Sequence, residues 1–375
     1  MSTDTPTVQR LTRAEYAAVM AAAGQHDAYL QPGYVEATAV IEQGEPYYLY
    51  LPAPGHAEST GRAEPGASGV VCVLLVRELP PELQPVDGPT LFDAITPYGY
   101  GGPVGLGTAP PLAAFRQLFA PWCREHGIVT AFFRFHPLLD NASAAPAGTE
   151  VVPLVGTVAW QLTADRDLEA GMNQRHRRLV RKARREGVEI EVTRGAGRLA
   201  DFQDLYNTTM QRQHADEFYF FPNKYWHTLA NAFGDDLVFV TALSNGNPIA
   251  SLLCLAGGPF LHYHLGATAD VARSNGASNL CFLTAAQWGQ AAGSMTHLHL
   301  GGGVGGKLDE LYEFKLRFDP DNGAVAAAIG KLVCDPERYR ALTGSAATEG
   351  FFPAWRRPDS AETPAGAEQL ANDSR

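Results

Sequence analysis

Apolar and polar positions recur along this chain with two periods, about 3.6 and 2, and their order defines a series of elements. Leu11 to Ala23 carries the helical spacing, and Pro46 to Leu51 and Gly69 to Glu78 read as strands rich in Val, Tyr and Leu that pair as a hairpin. Between them PAPGHAESTGRAEPGAS has no period and much Gly, Pro and Ala, which predicts an exposed connection. The turn-rich TPYGYGGPVG (Thr96 to Gly105) follows, then a helix over Leu112 to His126 and a strand over Val129 to Phe135. The small, polar NASAAPAGTE at Asn141 to Glu150 marks a link between domains. A second series then runs strand (Gly156 to Leu162), helix (Asp165 to Glu186), strand (Val188 to Thr193) and helix (Leu199 to His214). Three strands come next, Asp236 to Leu243, Ile249 to Ala256 and Phe260 to Leu265, with the turn SNGNP joining the first two. A helix from Gly276 to Ala291 leads to a strand at Thr296 to Leu300, the run GGGVGG, and a short helix containing Leu308 to Lys315. Past Tyr339 the chain turns to Ala, Pro, Glu and Ser, so 346–375 is expected as a disordered tail.

At 375 residues the chain has the length of about two domains. No stretch approaches the roughly 18 uncharged apolar residues of a membrane span, and MSTDTPTVQRLTRAEY lacks the basic and apolar blocks of a signal peptide. The expected location is therefore the cytoplasm. The five cysteines (Cys72, Cys123, Cys254, Cys281, Cys334) are widely spaced and form no CxxC or Cys/His ligand pattern, so they read as buried thiols, and no metal site is expected. A net charge of −11 argues against a protein that coats nucleic acid generally. Its distribution changes that picture. RHRRLVRKARR, from Arg175 to Arg185, holds seven of the 29 Lys and Arg residues and no acid, leaving 22 bases against 40 acids elsewhere. A concentrated basic site on an acidic body suits a polyanion bound at one place.

On the helix from Asp165 to Glu186, Leu168, Met172, His176, Leu179 and Ala183 form one apolar stripe, which turns the bases outward. Arg175, Arg178, Lys182 and Arg185 share one flank, and Arg177, Arg181 and Arg184 the other. Such a face can simply be solvated. Seven cations without interleaved acids repel one another, however, and a phosphate backbone relieves that repulsion. His176 lies on the stripe, where a packed histidine is the simpler reading. Arg273-Ser-Asn-Gly-Ala-Ser278 follows a strand and opens a helix, near the pattern whose backbone N–H groups hold a pyrophosphate in acetyltransferases, with Arg273 and Gly276 in place and Ser278 departing from it. A plain helix start fits equally well. Gly301, Gly302 and Gly303 end a strand without side chains, so a ligand can approach the backbone. Lys315, among Phe314, Leu316 and Phe318, is either a snorkelling surface lysine or a partly desolvated ammonium able to meet a developing oxyanion.

The order strand, helix, helix, three-strand meander, helix, strand is that of an acetyltransferase-like (GNAT) module. HRRLVRKARREGV, YNTTMQRQ, HYHLGATAD with SNGASNL, LHLGGG and FKLRF, in this order and spacing, resemble the Fem family of aminoacyl-tRNA-dependent transferases, from about Trp160 to Phe318. Over the first domain the similarity rests on TPYGYGGP and Leu30-Gln31. The resemblance implies an α+β protein with two GNAT-like domains, each a mixed, mostly antiparallel sheet flanked by helices: 1–150 on the acceptor side, 151–319 as the catalytic and tRNA side, and 320–345 returning to the first. It also implies aminoacyl-tRNA as co-substrate, an amine of a small molecule or peptide as acceptor, and no cofactor. By the same resemblance Lys315 beside Phe314 stabilises the tetrahedral intermediate or the tRNA end, Tyr263 joins them, and Arg212, Tyr206, Tyr98 and Tyr100 face the acceptor. Two features depart from the family. The coiled-coil insertion that contacts tRNA in some members is missing, which leaves that binding to the Arg175 to Arg185 rail. Where members using nucleotide-linked precursors place a base, Tyr34 and Glu36 stand here, which points to a smaller amine or a biosynthetic peptide, as in antibiotic-pathway relatives. The rival readings are an acyl-CoA N-acyltransferase and a non-catalytic protein that binds tRNA or a carrier.

Overall fold

The computed structural model describes residues 6–54, 68–303 and 308–357. Most of the expected connection after Pro52, the second half of GGGVGG, and the tail from residue 358 lie outside the described residues. The chain forms two compact units, one made of residues up to Pro153 together with those from Ala327, the other of Leu154 to Ala326.

In the first unit β1 (Gln9–Leu11), α1 (Arg13–Ala22), α2 (Pro32–Glu42), β2 (Glu45–Pro52), β3 (Gly69–Glu78), β4 (Phe92–Ile95), β5 (Val104–Leu106), α3 (Leu112–Glu125) and β6 (Ile128–Arg134) follow in order. Helix α1 starts at a capping box, in which the Thr12 hydroxyl accepts the Glu15 N–H and the Glu15 carboxylate accepts the Thr12 N–H at 2.7 Å. The sheet runs β1-β2-β3-β4-β6, antiparallel except for the parallel pair β4/β6, with β5 alongside β3. Phe115, Phe119 and Trp122 of α3 cover one face of it. Asn141, expected in a link, is buried here: its side chain accepts the His136 N–H at 2.7 Å and donates to the Gly101 carbonyl at 2.8 Å.

The second unit contains β7 (Glu150–Gln161), α4 (Leu168–Gly171), α5 (Gln174–Arg185), β8 (Glu189–Arg194), α6 (Leu199–Arg212), α7 (Asn223–Phe233), β9 (Leu237–Ser244), β10 (Asn247–Gly257), β11 (Phe260–Thr268), α8 (Ala272–Asn275), α9 (Ala277–Ala291), β12 (His297–Gly302) and α10 (Glu310–Leu316). Its strands lie in the order β7-β12-β11-β10-β9-β8, antiparallel except for β11/β12. The single helix expected over Asp165 to Glu186 is two. Asp167 caps α4 and Asn173 caps α5 with its side chain on the Arg175 N–H, while Met172 between them is extended (ψ 154°).

The chain then returns through β13 (Ala324–Val333), antiparallel to β6 over Ile329 to Val333, and α11 (Pro336–Thr343). Residues 346–357, expected as part of a disordered tail, pack on the first unit instead. Asp93, fully buried, accepts the Trp355 indole N–H at 2.9 Å and the Arg356 Nε–H at 2.7 Å through one oxygen, and Arg77 through the other. A buried carboxylate requires such donors, and these residues supply them. All five cysteines are buried and free, and burial pushes the Cys72, Cys123, Cys254 and Cys281 thiols up, away from the reactive thiolate.

Candidate active site in the second unit

Strands β11 and β12 pair from Phe260/His297 to His262/His299 and then part, while β11 continues along β10 to Thr268. A cleft of about 20 Å³, room for one water, is lined by Tyr263, Gly266 and Thr268 of β11 with Phe282, Phe314 and Lys315. Gly266 is required there: a Cβ at this position would lie 2.4 Å from the Tyr263 hydroxyl, so only glycine lets the Tyr263 ring fold back along its own strand. Tyr263 stacks edge-on against Phe282 with centroids 4.9 Å apart.

Lys315 sits in the last turn of α10 and is only 7% exposed. Its Nζ donates to the Gly302 carbonyl at 2.7 Å and lies 5.8 Å from the centre of the Tyr263 ring. The expected strand end without side chains is thus what receives the ammonium. Burial lowers the Lys315 pKa to about 7, against an opposing pull from Asp309, whose carboxylate caps α10 on the Tyr312 N–H. A lysine held this way can lose or gain its charge near neutral pH.

Helix α5 packs its inner face onto the same segment. The buried positions are His176, Val180 and Ala183, so the stripe passes through Val180, and Leu179 is only partly covered. The His176 ring lies 4.9 Å from Phe314 and 4.5 Å from Phe318, between centroids. Burial, reinforced by Arg317 and Arg175, holds the His176 pKa at about 3, so it is a neutral packing group. The bases point outward. Arg177 donates to the Ala170 carbonyl, Arg184 pairs with Glu169 at 2.8 Å, and Lys182 donates to the Ser274 carbonyl at 2.7 Å. Among the described residues, Arg175, Arg178, Arg181 and Arg185 make no side-chain hydrogen bond or ion pair. Only two of the seven bases face an acid among the described residues, Arg184 at Glu169 and Lys182 at Glu186 (3.7 Å), and four guanidinium groups are uncommitted, which leaves a cationic surface along the helix.

The turn between α8 and α9 is built against α5. Gly276 has φ +81°, and a Cβ on it would come within 2.3 Å of the Leu179 carbonyl oxygen, so the two backbones touch. The Ala277 N–H donates to the Asn275 side chain at 2.9 Å, so part of the expected phosphate-holding turn is used internally. The Arg273 side chain lies outside the described part of the structure.

Other expected site residues are placed elsewhere. Tyr206, expected toward the acceptor, is fully buried; its hydroxyl donates to the Tyr219 carbonyl at 3.0 Å and its ring stacks with Phe202 and Phe221. Arg212 donates to the Thr268 carbonyl at 2.7 Å and the Thr268 hydroxyl at 3.1 Å, and pairs with Asp270 at 3.3 Å. It therefore steadies the end of β11, a cleft wall, together with Thr209, whose hydroxyl accepts the Thr268 N–H at 2.9 Å. Tyr98 and Tyr100 belong to the first unit, where the Tyr98 carbonyl accepts the Tyr34 hydroxyl at 2.5 Å and Tyr100 packs edge-on against Tyr29 and His136. Gly266, Thr268 and Phe282 were not singled out in the sequence. Only the small-residue run Gly266-Ala267-Thr268 closing a hydrophobic strand hints at them.

A family model described as an acetyltransferase (GNAT) domain matches residues 170–316. The structure of FemX is similar, with a TM-score of 0.60 and 13% identity over 89% of this chain and 99% of that one. L-PGS from Bacillus licheniformis gives a TM-score of 0.53 and 13% identity, over 86% of this chain and 92% of that one. A C-terminal domain assigned to a lysylphosphatidylglycerol synthetase of Agrobacterium fabrum gives 0.53 and 16%, over 85% and 92%. No curated protein sequence matches. Residues 170–316 thus match a GNAT domain, and the chain has an α+β fold like that of FemX. No helix among the described residues is long and apolar enough to cross a membrane.

Proposed function

We propose that the protein transfers an aminoacyl group from aminoacyl-tRNA to the amine of a small molecule or peptide, with no further cofactor. One observation carries this reading: a desolvated lysine at a glycine strand end, on the very segment against which a cationic helix packs. An aminoacyl ester is already activated, so no covalent enzyme intermediate is needed. The acceptor nitrogen attacks the ester carbonyl, and the C–N bond forms. Lys315 leaves the Gly302 carbonyl to offset the oxyanion charge, which stabilises its protonated form. The ester C–O bond then breaks, and the amine proton reaches the leaving ribose oxygen by way of the vicinal hydroxyl. The bases of α5 hold the phosphates near the 3′ end.

The acceptor is expected among antibiotic-type biosynthetic intermediates before cell-wall precursors, since Tyr34 and Glu36 supply no base. Incubation with total charged tRNA and an amine-containing extract, followed by mass measurement, tests the reading. Product formation abolished by RNase supports it. Activity that persists without RNA but requires acyl-CoA refutes it in favour of a CoA-dependent N-acyltransferase, the reading that the GNAT match itself favours. Lys315→Met is expected to lower turnover about 10² to 10³-fold, and unaltered turnover in that variant removes Lys315 from the mechanism.

A further inference from the structure

The segments that meet around Lys315 are tied together by groups the transfer scheme leaves idle. Asp319 lies four residues beyond Lys315, in the turn that follows α10, and is fully buried. Its carboxylate takes both prongs of the Arg166 guanidinium, Nη1 at 2.7 Å and Nη2 at 2.5 Å, and the Gln161 backbone N–H at 3.2 Å. Arg166 stands just before α4, and its own carbonyl accepts the Gln290 side chain at 2.9 Å, which fixes it to α9 as well. Two residues beyond Lys315, the Arg317 carbonyl accepts the N–H of Asn173, the residue that caps α5, at 2.8 Å.

A buried ion pair adds little net stability over a well-packed apolar pair of similar volume, because desolvation consumes most of the Coulomb gain. What the two-pronged Arg–carboxylate contact does supply is geometry, since it fixes both separation and angle. We infer that the Arg166–Asp319 pair is a positioning device, which locks the segment after Lys315 to the connection leading into α4 and, with the Asn173–Arg317 bond at the start of α5, keeps the ammonium and the RNA-facing bases at one spacing. This rests on the role of Lys315 proposed above.

The test uses the full chain carrying R166M/D319L, which replaces the pair with apolar groups, and separately R166K, which keeps the charge and loses the fork. Titration of the Lys315 amine by ¹⁵N NMR needs no substrate. Its midpoint, near 7 in the parent, is expected to rise in both variants as the turn loosens and water reaches the amine. With charged tRNA, kcat is expected to fall at least about tenfold while KM stays within about threefold, since misplacement by about 1 Å can cost as much as 10²-fold in rate. A folded variant with the parent midpoint and the parent kcat overturns the inference; if the double variant does not fold, the same result in R166K does so. A shifted midpoint in a protein whose parent transfers nothing from tRNA supports the lock and sinks the aminoacyl reading, so the two failures are told apart.

Discussion

Replacing Lys315 with methionine should make the protein more stable at neutral pH while it lowers turnover. Burial moves this lysine from its ordinary 10.5 to about 7, a penalty of roughly 4 to 5 kcal/mol at about 1.36 kcal/mol per pH unit. Between about 7 and 10.5 the unfolded chain binds a proton that the folded chain does not, so stability rises with pH across that window. Below about 7 both states are protonated and the whole penalty is present. Methionine has nearly the same length and no charge to desolvate. It also removes a donor from the Gly302 carbonyl, a loss of about 1 to 3 kcal/mol that does not vary with pH. The variant should therefore exceed the parent by about 1 to 4 kcal/mol at pH 6, and the gap should shrink by roughly 3 kcal/mol between pH 7 and pH 10. Urea unfolding of both proteins at several pH values measures it. A gap that stays constant with pH would show that the amine is not desolvated and that its proposed sensitivity to oxyanion charge has no structural basis.

Converting Arg178, Arg181 and Arg185 together to glutamine should weaken binding of charged tRNA and reduce the slope of log affinity against log salt by about 2 to 3, close to one for each phosphate that the variant no longer neutralises. Filter binding across a salt series measures this, and an unchanged slope places the RNA elsewhere. Gly276→Ala should cost at least about 2 kcal/mol, because the methyl group meets the Leu179 carbonyl and the backbone is left-handed. Thermal unfolding reads that loss, and an alanine variant as stable as the parent means that α5 can shift away from the turn.

The elements with a clear period were legible: the three-strand meander, α9 and α3 lie within a few residues of where the pattern puts them, and the basic helix ends where expected. Helix α2 was not, because Pro32, Gly33, Tyr34, Val35, Ala37 and Thr38 are all buried and no polar face marks a period. Helix α7 does carry one, in Tyr225, Trp226, Leu229, Ala230 and Phe233 after Pro222, but the aromatic stretch that precedes it obscures where the period begins. The break at Asn173 was hidden by a stripe that runs on through Met172 and His176, since both halves bury the same side. At the site, the flanking aromatic residues and the glycine strand end left Lys315 between a snorkelling surface lysine and a desolvated one until the family resemblance chose the second, and helical spacing grouped the α5 bases. Arg212 shows the limit: a sequence displays a charge without its partner, and Thr268 lies 56 residues away. Arg166 and Asp319, 153 residues apart, were unreadable for the same reason.

The Asp93 contacts bear on how the polypeptide is made. The carboxylate is laid down early, yet two of its donors, Trp355 and Arg356, follow 262 and 263 residues later, and β13 arrives only a little before them. Leu154 to Ala326 have by then all been synthesised. The unit that holds Asp93 is therefore completed only after Leu154 to Ala326 have been made, unlike the usual N-terminal-first order of synthesis-coupled folding, and a nascent chain halted before Trp355 leaves that acid short of two of its donors.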